Sequence, residues 1–219
     1  MSDLLQQAIR QMLPDAAVRV QHLPQCPDIR LWLVDPLPMQ RRFSVEETHR
    51  IEEYPAYWAF CWASGQALAA YILQNPHTVA GKTVLDFGAG SGVAGIAAAM
   101  AGASRVIACD LDPDALLACR ENARLNEVEL EYSGDFFQLS TTVDLLLAAD
   151  VLYDRSNLPL LGDFTARARE VWVADSRIRD FSVTPYVRTG RMNSCTVPDL
   201  DEAREFRQVS FYRACQAFR

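Results

Sequence analysis

From about Lys82 to the end of the chain, short apolar runs alternate with longer segments whose apolar positions recur at helical spacing. That alternation is the pattern of a parallel sheet covered by helices, and it predicts an α/β fold. Thr83-Val84-Leu85-Asp86-Phe87 reads as the first buried strand, and Gly92 to Gly102 as an alanine-rich helix whose small side chains let it lie close to the sheet. Further strands are predicted over Ser104 to Cys109, Val128 to Tyr132, Val143 to Ala149 and Val171 to Ala174. Asp112 and Pro113 supply an N-cap and a first-turn proline for a helix that carries Leu116, Cys119 and Ala123 on one side and ends near Asn126. A last strand is predicted from Arg207 to Ala214. It is reached through a loop or hairpin over Thr196 to Glu205, where proline and a run of acids argue against a crossover helix. No internal repeat or low-complexity tract interrupts this order.

Ahead of that core, Val18 to Val20 and Ile29 to Val34 predict a small hairpin around Pro24 and Pro27, closed by Pro36 and Pro38. Residues 1–56 therefore read as an N-terminal extension, a hairpin and a helix, packed on a single domain over 57–219. Tyr57-Trp58-Ala59-Phe60-Cys61-Trp62 is strongly aromatic and leads into helical spacing through Leu68, Ala69, Ile72 and Leu73. Such a stripe serves equally as a helix packed on the sheet or as a wall of a ligand site.

Half of the residues are apolar and 22% are charged, the balance of a chain that folds rather than one that stays disordered. Lys plus Arg number 21 against 28 Asp plus Glu, so the net charge of −7 argues against a surface built to hold nucleic acid. Lys82 is the only lysine. The first residues carry acids and amides where an export signal needs a basic end and an apolar run. The longest apolar stretches, such as Val143 to Leu152, are broken by acids and too short to span a bilayer. A cytoplasmic protein without membrane contact is the expectation. The six cysteines and three histidines show no metal-ligand or redox spacing, which points to reduced thiols in or near the core and to no metal site.

The sharpest chemical signal is Asp86-Phe87-Gly88-Ala89-Gly90-Ser91-Gly92, a strand that turns through glycines into a helix. Glycine allows the tight turn and lets a ligand approach the backbone. A dinucleotide fingerprint needs its third glycine where Val93 stands, and no Gly-Lys-Ser/Thr follows the strand, so pyrophosphate and P-loop cradles are disfavoured. The remaining G-x-G-x-G turn suits the ribose and amino acid portion of a nucleoside cofactor. Asp110 ends the second strand, where a carboxylate can accept both ribose hydroxyls; its alternative is a helix N-terminal acid, a role Asp112 already fills. Gly134-Asp135-Phe136 follows the third strand and reads either as a surface turn or as an adenine site, with Asp135 accepting from the exocyclic amine and Phe136 packing on the ring. Asp150-Val151-Leu152-Tyr153 ends the fourth strand beside the crevice in which such sheets bind ligands. Asp150 could instead cap the next helix, although Asp154 and Ser156 are better placed to do so.

Taken together, these residues resemble the seven-β-strand class I S-adenosylmethionine-dependent methyltransferases over about 82–219, and more narrowly the protein lysine methyltransferases with a D-x-x-Y motif, here Asp150-Val151-Leu152-Tyr153. The segment from Tyr57 to Leu68 is similar to the W-A-F-x-W-x-x-G-Q-A-L lead-in of the methyltransferases that modify the β-subunit of electron transfer flavoprotein. The resemblance implies a Rossmann-like seven-stranded sheet, mostly parallel with an antiparallel last strand and helices on both faces. It implies S-adenosyl-L-methionine as cofactor and S-adenosyl-L-homocysteine as product. By position, Trp62 and Gln66 would border the cofactor, and Asp86, Gly88, Gly90 and Gly92 would lie near its amino acid part. Asp110 would hold the ribose, Leu111, Asp135, Phe136 and Ala149 would complete the cofactor site, and Asp150 and Tyr153 would face the acceptor. The implied partner is a protein substrate of the electron transfer flavoprotein β-subunit type, met by a monomer or weak dimer. A small-molecule N- or O-methyltransferase and a non-catalytic cofactor-binding module are the alternatives on the same fold. The N-terminal segment and residues Glu170 to Tyr186 carry no motif that names a target.

Overall fold

A computed structural model of the protein describes residues 2–139, 141–178 and 180–215; the last four positions of the expected 57–219 domain lie outside them. The chain opens with α1 (Asp3–Met12), a hairpin of β1 (Val18–Leu23) and β2 (Cys26–Val34), and the helices α2 (Pro36–Met39), α3 (Val45–Glu53) and α4 (Ala63–Gln74). The core follows as β3 (Thr83–Phe87), α5 (Val93–Met100), β4 (Arg105–Cys109), α6 (Pro113–Leu125), β5 (Glu131–Ser133), β6 (Val143–Ala149), α7 (Leu160–Arg167), β7 (Ala168–Asp175), β8 (Val187–Asn193) and β9 (Gln208–Cys215).

Seven strands form one sheet in the order β5-β4-β3-β6-β7-β9-β8. The neighbours from β5 to β7 are parallel, and β9 runs antiparallel to both β7 and β8. Strands buried on both faces need apolar residues at consecutive positions. Val84, Val106, Leu145 and Leu147 turn into the cluster built with α4 and α5. Leu85, Ile107, Leu146 and Val171 turn the other way, against Leu161 and Phe164 of α7. On the first face α4 and α5 approach closely: a Cβ on Gly65 would come within 2.9 Å of Val93 Cγ1. The N-terminal segment joins the core through α6, where Leu5 and Ile9 share a cluster with Trp58, Ala115 and Ala118. Near the amino ends of β3 and β7, Lys82 Nζ pairs with Glu170 at 3.2 Å. No helix among the described residues is long and apolar enough to cross a membrane.

The predicted strands are all present, β3 and β6 with the expected ends and the others with shifted ones. The largest shift is at the third, which pairs over Glu131–Ser133 because its partner offers only Ile107 to Cys109, while Val128 and Leu130 pack into the core from the preceding loop. The N-terminal hairpin is longer than its apolar positions suggest, and the connection ahead of β9 is a β8–β9 hairpin. β8 itself escapes the sequence reading because this edge strand is exposed almost throughout and so shows no alternation. For the same reason α3 is not foreseen: it buries no side chain and is held by its capping box, Ser44 with Glu47.

Candidate active site

The carboxyl ends of β3, β4, β6 and β7 open onto a crevice of about 1,090 Å³. β3 delivers the chain into it through a turn that only glycine adopts freely: φ is +64° at Gly88 and +52° at Gly90. A Cβ at Gly90 would meet nothing nearer than the Gly88 carbonyl at 3.9 Å, so the backbone lies open to the crevice. Gly92 serves packing instead. It is the left-handed N-cap of α5, and a Cβ there would lie 3.2 Å from the Cα of Cys119. Asp86 lies behind the turn, buried, accepting the Gly95 N–H at 2.8 Å, and burial pushes its carboxyl up to about 7.

Asp110, one strand over, faces the crevice and fixes the turn. Its Oδ2 accepts the Gly90 N–H at 2.9 Å and its Oδ1 that of Asp112 at 3.0 Å, while burial raises its pKa above the usual carboxylate range. Asp112 caps α6, as its sequence position suggests. Leu111 stands at the rim, 83% exposed, and Phe136 and Ala149 line the wall. Asp135 does not reach that wall: its oxygens accept from Phe137 N–H and Gln138 Nε2, which shapes the bend that turns Phe136 inward.

Asp150 holds the crevice together. Its Oδ1 accepts from Ser64 Oγ, Ser176 N–H and Ser176 Oγ at 2.7–2.8 Å, and its Oδ2 accepts from Ser64 N–H at 3.1 Å. Trp62, the N-cap residue of α4, offers that helix no side-chain cap, so Asp150 caps it from another element, where the carboxylate also meets the positive end of the helix dipole. Three of these bonds converge on Oδ1, while Oδ2 accepts one and keeps a lone pair towards the crevice that Asp150 lines. The next helical turn, Arg155–Asn157, is capped by Asp154.

Behind Asp150, Asp175 ends β7 fully buried; its Oδ1 accepts the Arg177 and Ile178 N–H groups and its Oδ2 has no partner. Burial, and then the Asp150 charge, push its carboxyl up to about 6. A folded-state value above the unfolded one of about 3.9 means that this group's stabilising contribution is complete below about pH 4 and is lost as pH rises through 6. Asp175→Asn is therefore expected to stabilise the protein by about 1–3 kcal/mol at pH 8 and by little at pH 4, read from urea melts at both values.

The mouth of the crevice is aromatic. Tyr57, Phe60, Trp62 and Tyr153 line it, with Tyr57 49% and Tyr153 60% exposed. The opposite wall comes from 194–207, the connection from β8 to β9, which pairs with the chain at Cys61↔Val197. Within that wall Glu202 accepts from Arg177 at 2.5 Å and from Thr196 Oγ1 at 2.8 Å, and Arg177 lies over Phe206. Sequence reasoning left Tyr57 open between packing and a ligand wall and missed Arg177 and Glu202, since only the tertiary fold brings these segments together. Gln66 is buried away from the crevice, accepting the Gln25 N–H and donating to the Cys195 carbonyl, so that it ties the N-terminal hairpin to the 194–207 wall.

A nucleoside cofactor fits these residues. The backbone at Gly90 is open, each Asp110 oxygen holds a single backbone N–H and keeps lone pairs free, and Leu111 and Phe136 supply apolar surface. Comparison with known proteins agrees. A family model described as ribosomal protein L11 methyltransferase (PrmA) matches residues 66–154. The Danio rerio electron transfer flavoprotein beta subunit lysine methyltransferase is 46% identical over 103 residues, which cover 46% of this chain and 40% of that protein. The chain thus spans less than half of that relative's length. The Xenopus laevis protein of the same description is 36% identical over 173 residues, 75% of this chain and 69% of that protein. Among solved structures, ribosomal protein L11 methylase from Lactobacillus delbrueckii subsp. bulgaricus shares the fold at a TM-score of 0.53 and 19% identity, over 70% of this chain and 79% of that one. With more than two thirds of the Xenopus laevis protein covered at that identity, the chain belongs to the family of electron transfer flavoprotein beta subunit lysine methyltransferases.

Proposed function

We propose that this protein transfers a methyl group from S-adenosylmethionine to a lysine side chain of another protein, with the β-subunit of electron transfer flavoprotein as the type of target. One observation carries the reading: in a chain of this family, an open glycine turn with Asp110 beside it shares one crevice with an exposed aromatic mouth. That open mouth favours a protein side chain over a small molecule, which calls for a closed pocket. A reducing, cytoplasmic setting belongs to the same proposal, supported by cysteines that are all unpaired.

When bound, S-adenosylmethionine supplies a methyl group on a positively charged sulfur. The chain has to align an amine with it and exclude water. Gly90 lets the nucleoside lie against the backbone, Asp110 accepts from the ribose, and Leu111, Phe136 and Ala149 enclose the base and its surroundings. The acceptor lysine must first lose a proton, at a cost of about 4–5 kcal/mol at pH 7. Enclosure between aromatic side chains favours the neutral amine. Tyr153 stands where the acceptor enters. Asp150, engaged by Ser64 and Ser176, positions α4 and the loop after β7, and the remaining lone pair of its Oδ2 is there to orient the amine.

Tritiated S-adenosylmethionine added with a lysate of the source cells tests the reading. Label on lysine in one protein band is the expected result, and Tyr153→Phe is expected to lower turnover by about tenfold with cofactor affinity nearly unchanged. Label confined to small molecules or nucleic acid would overturn the assignment.

A further inference from the structure

We propose that Gln25 and Gln66 are positioning residues of the acceptor site: their side-chain amides clamp the start of the 194–207 wall to the N-terminal hairpin and so set how tightly an acceptor is held. The proposal deepens the lysine reading above and rests on it for the acceptor, while the clamp itself can be tested without one.

The wall needs such a device. Thr196, Pro198, Leu200 and Phe206 face the crevice, yet 194–203 contains no helix or strand. β8 precedes it along the exposed edge of the sheet and gives it little to pack against. Backbone pairing of Val197 with Cys61, through bonds of 2.8 and 2.9 Å, fixes a single point.

Ahead of that point the segment is held by side-chain amides. Gln66, fully buried on α4, accepts the Gln25 N–H at 2.9 Å through Oε1 and donates from Nε2 to the Cys195 carbonyl at 2.6 Å. Gln25, at the turn between β1 and β2, donates from Nε2 to the Asn193 carbonyl and accepts from the Ser194 hydroxyl through Oε1, both at 2.7 Å. Three successive residues, 193–195, are thus gripped from the hairpin and from α4. An amide carries donor and acceptor on one planar group, so each glutamine bridges two segments in a way that no apolar or ionised acidic side chain reproduces.

Neither glutamine lines the crevice, so both act through the wall. From there the constraint passes on: Thr196 Oγ1 donates to Glu202, Glu202 accepts from Arg177, and the Arg177 guanidinium lies 3.9 Å from the Phe206 ring centre and 5.4 Å from that of Trp62. The glycine turn and Asp110 follow β3 and β4 and are held by each other instead. Loosening the wall therefore weakens the hold on the acceptor and spares the cofactor. The N-terminal hairpin, which carries no motif, gains a part in the site in this way.

Gln25→Ala, at a half-buried turn, removes two of these bonds and leaves the Gln25 N–H on Gln66. Gln21→Ala is its control, because the Gln21 amide bonds within the hairpin, to the Val34 carbonyl. Hydrogen exchange of the full chain with S-adenosylhomocysteine bound should speed up about tenfold at the Ser194 and Val197 amides in Gln25→Ala and keep the wild-type rate in Gln21→Ala. With the electron transfer flavoprotein β-subunit as acceptor, KM for that protein should rise about tenfold in Gln25→Ala, while kcat and S-adenosylhomocysteine affinity change by less than about twofold. Gln66→Leu should exceed it in the first two effects, and Gln25→Ala stands on its own whether or not the leucine variant folds. Unaltered exchange at those amides, or a fall in kcat or cofactor affinity with KM unchanged, would overturn the proposal. A β-subunit left unlabelled by the wild-type protein would sink the lysine reading, and the exchange comparison would then decide the clamp by itself. Labelled β-subunit with the same KM in wild type and Gln25→Ala would keep that reading and sink the clamp.

Discussion

Asp150→Ala is expected to cost about 3–5 kcal/mol of unfolding free energy, seen as a fall in melting temperature of roughly 10 °C in the absence of any ligand. The carboxylate accepts four hydrogen bonds from two serines on different elements. Alanine leaves the Ser64 and Ser176 N–H groups without their partner in a part-buried place, and a buried unsatisfied donor costs about 1–3 kcal/mol. Alanine is also poorly suited to the φ of +51° at this position, which asparagine tolerates. Asp150→Asn should therefore lose less, although its amide presents a donor where one of the serine donors now points. If the alanine variant melts with the wild type and loses only turnover, Asp150 acts on the substrate and the positioning role is wrong.

Asp110→Ala is expected to weaken S-adenosylhomocysteine binding by roughly 100-fold or more, since each hydrogen bond to a charged group contributes about 1.5–3 kcal/mol. The same change frees the Gly90 and Asp112 N–H groups, so some loss of stability accompanies it. Titration calorimetry against a control separates the two effects. Asp135→Ala removes an acid at the end of the neighbouring strand whose oxygens are engaged locally and do not face the crevice, so binding should change by less than about threefold. Equal losses in both variants would remove the basis for assigning the ribose to Asp110.

The contrast between these acids shows what a sequence can and cannot disclose. The strands β3 and β6 were legible residue by residue, because burial on both faces imposes unbroken apolar runs with a glycine turn or an acid at their ends. The positions of Gly88, Gly90 and Asp110 followed from that register. The direction of a side chain beyond a strand end did not. Asp135 and Asp150 both follow the end of a strand, yet Asp135 serves its own bend and Asp150 the start of α4. The Asp150 partners lie 86 and 26 residues away in the chain, out of reach of any local pattern. The wall from 194–207 was illegible for the same reason: its residues form no periodic element and gain meaning only opposite Trp62.

Lys82 is the one lysine in 219 residues, and its Nζ is paired with Glu170 near the amino ends of the strands, at the opposite end of the sheet from the crevice. Under the lysine reading proposed above, these residues offer the crevice of a neighbouring copy almost nothing to modify. For the experimenter this gives a built-in blank: lysine-bound radioactivity that appears in a lysate only when the protein is added lies on a target rather than on the protein itself, and Lys82→Arg removes the single ambiguity.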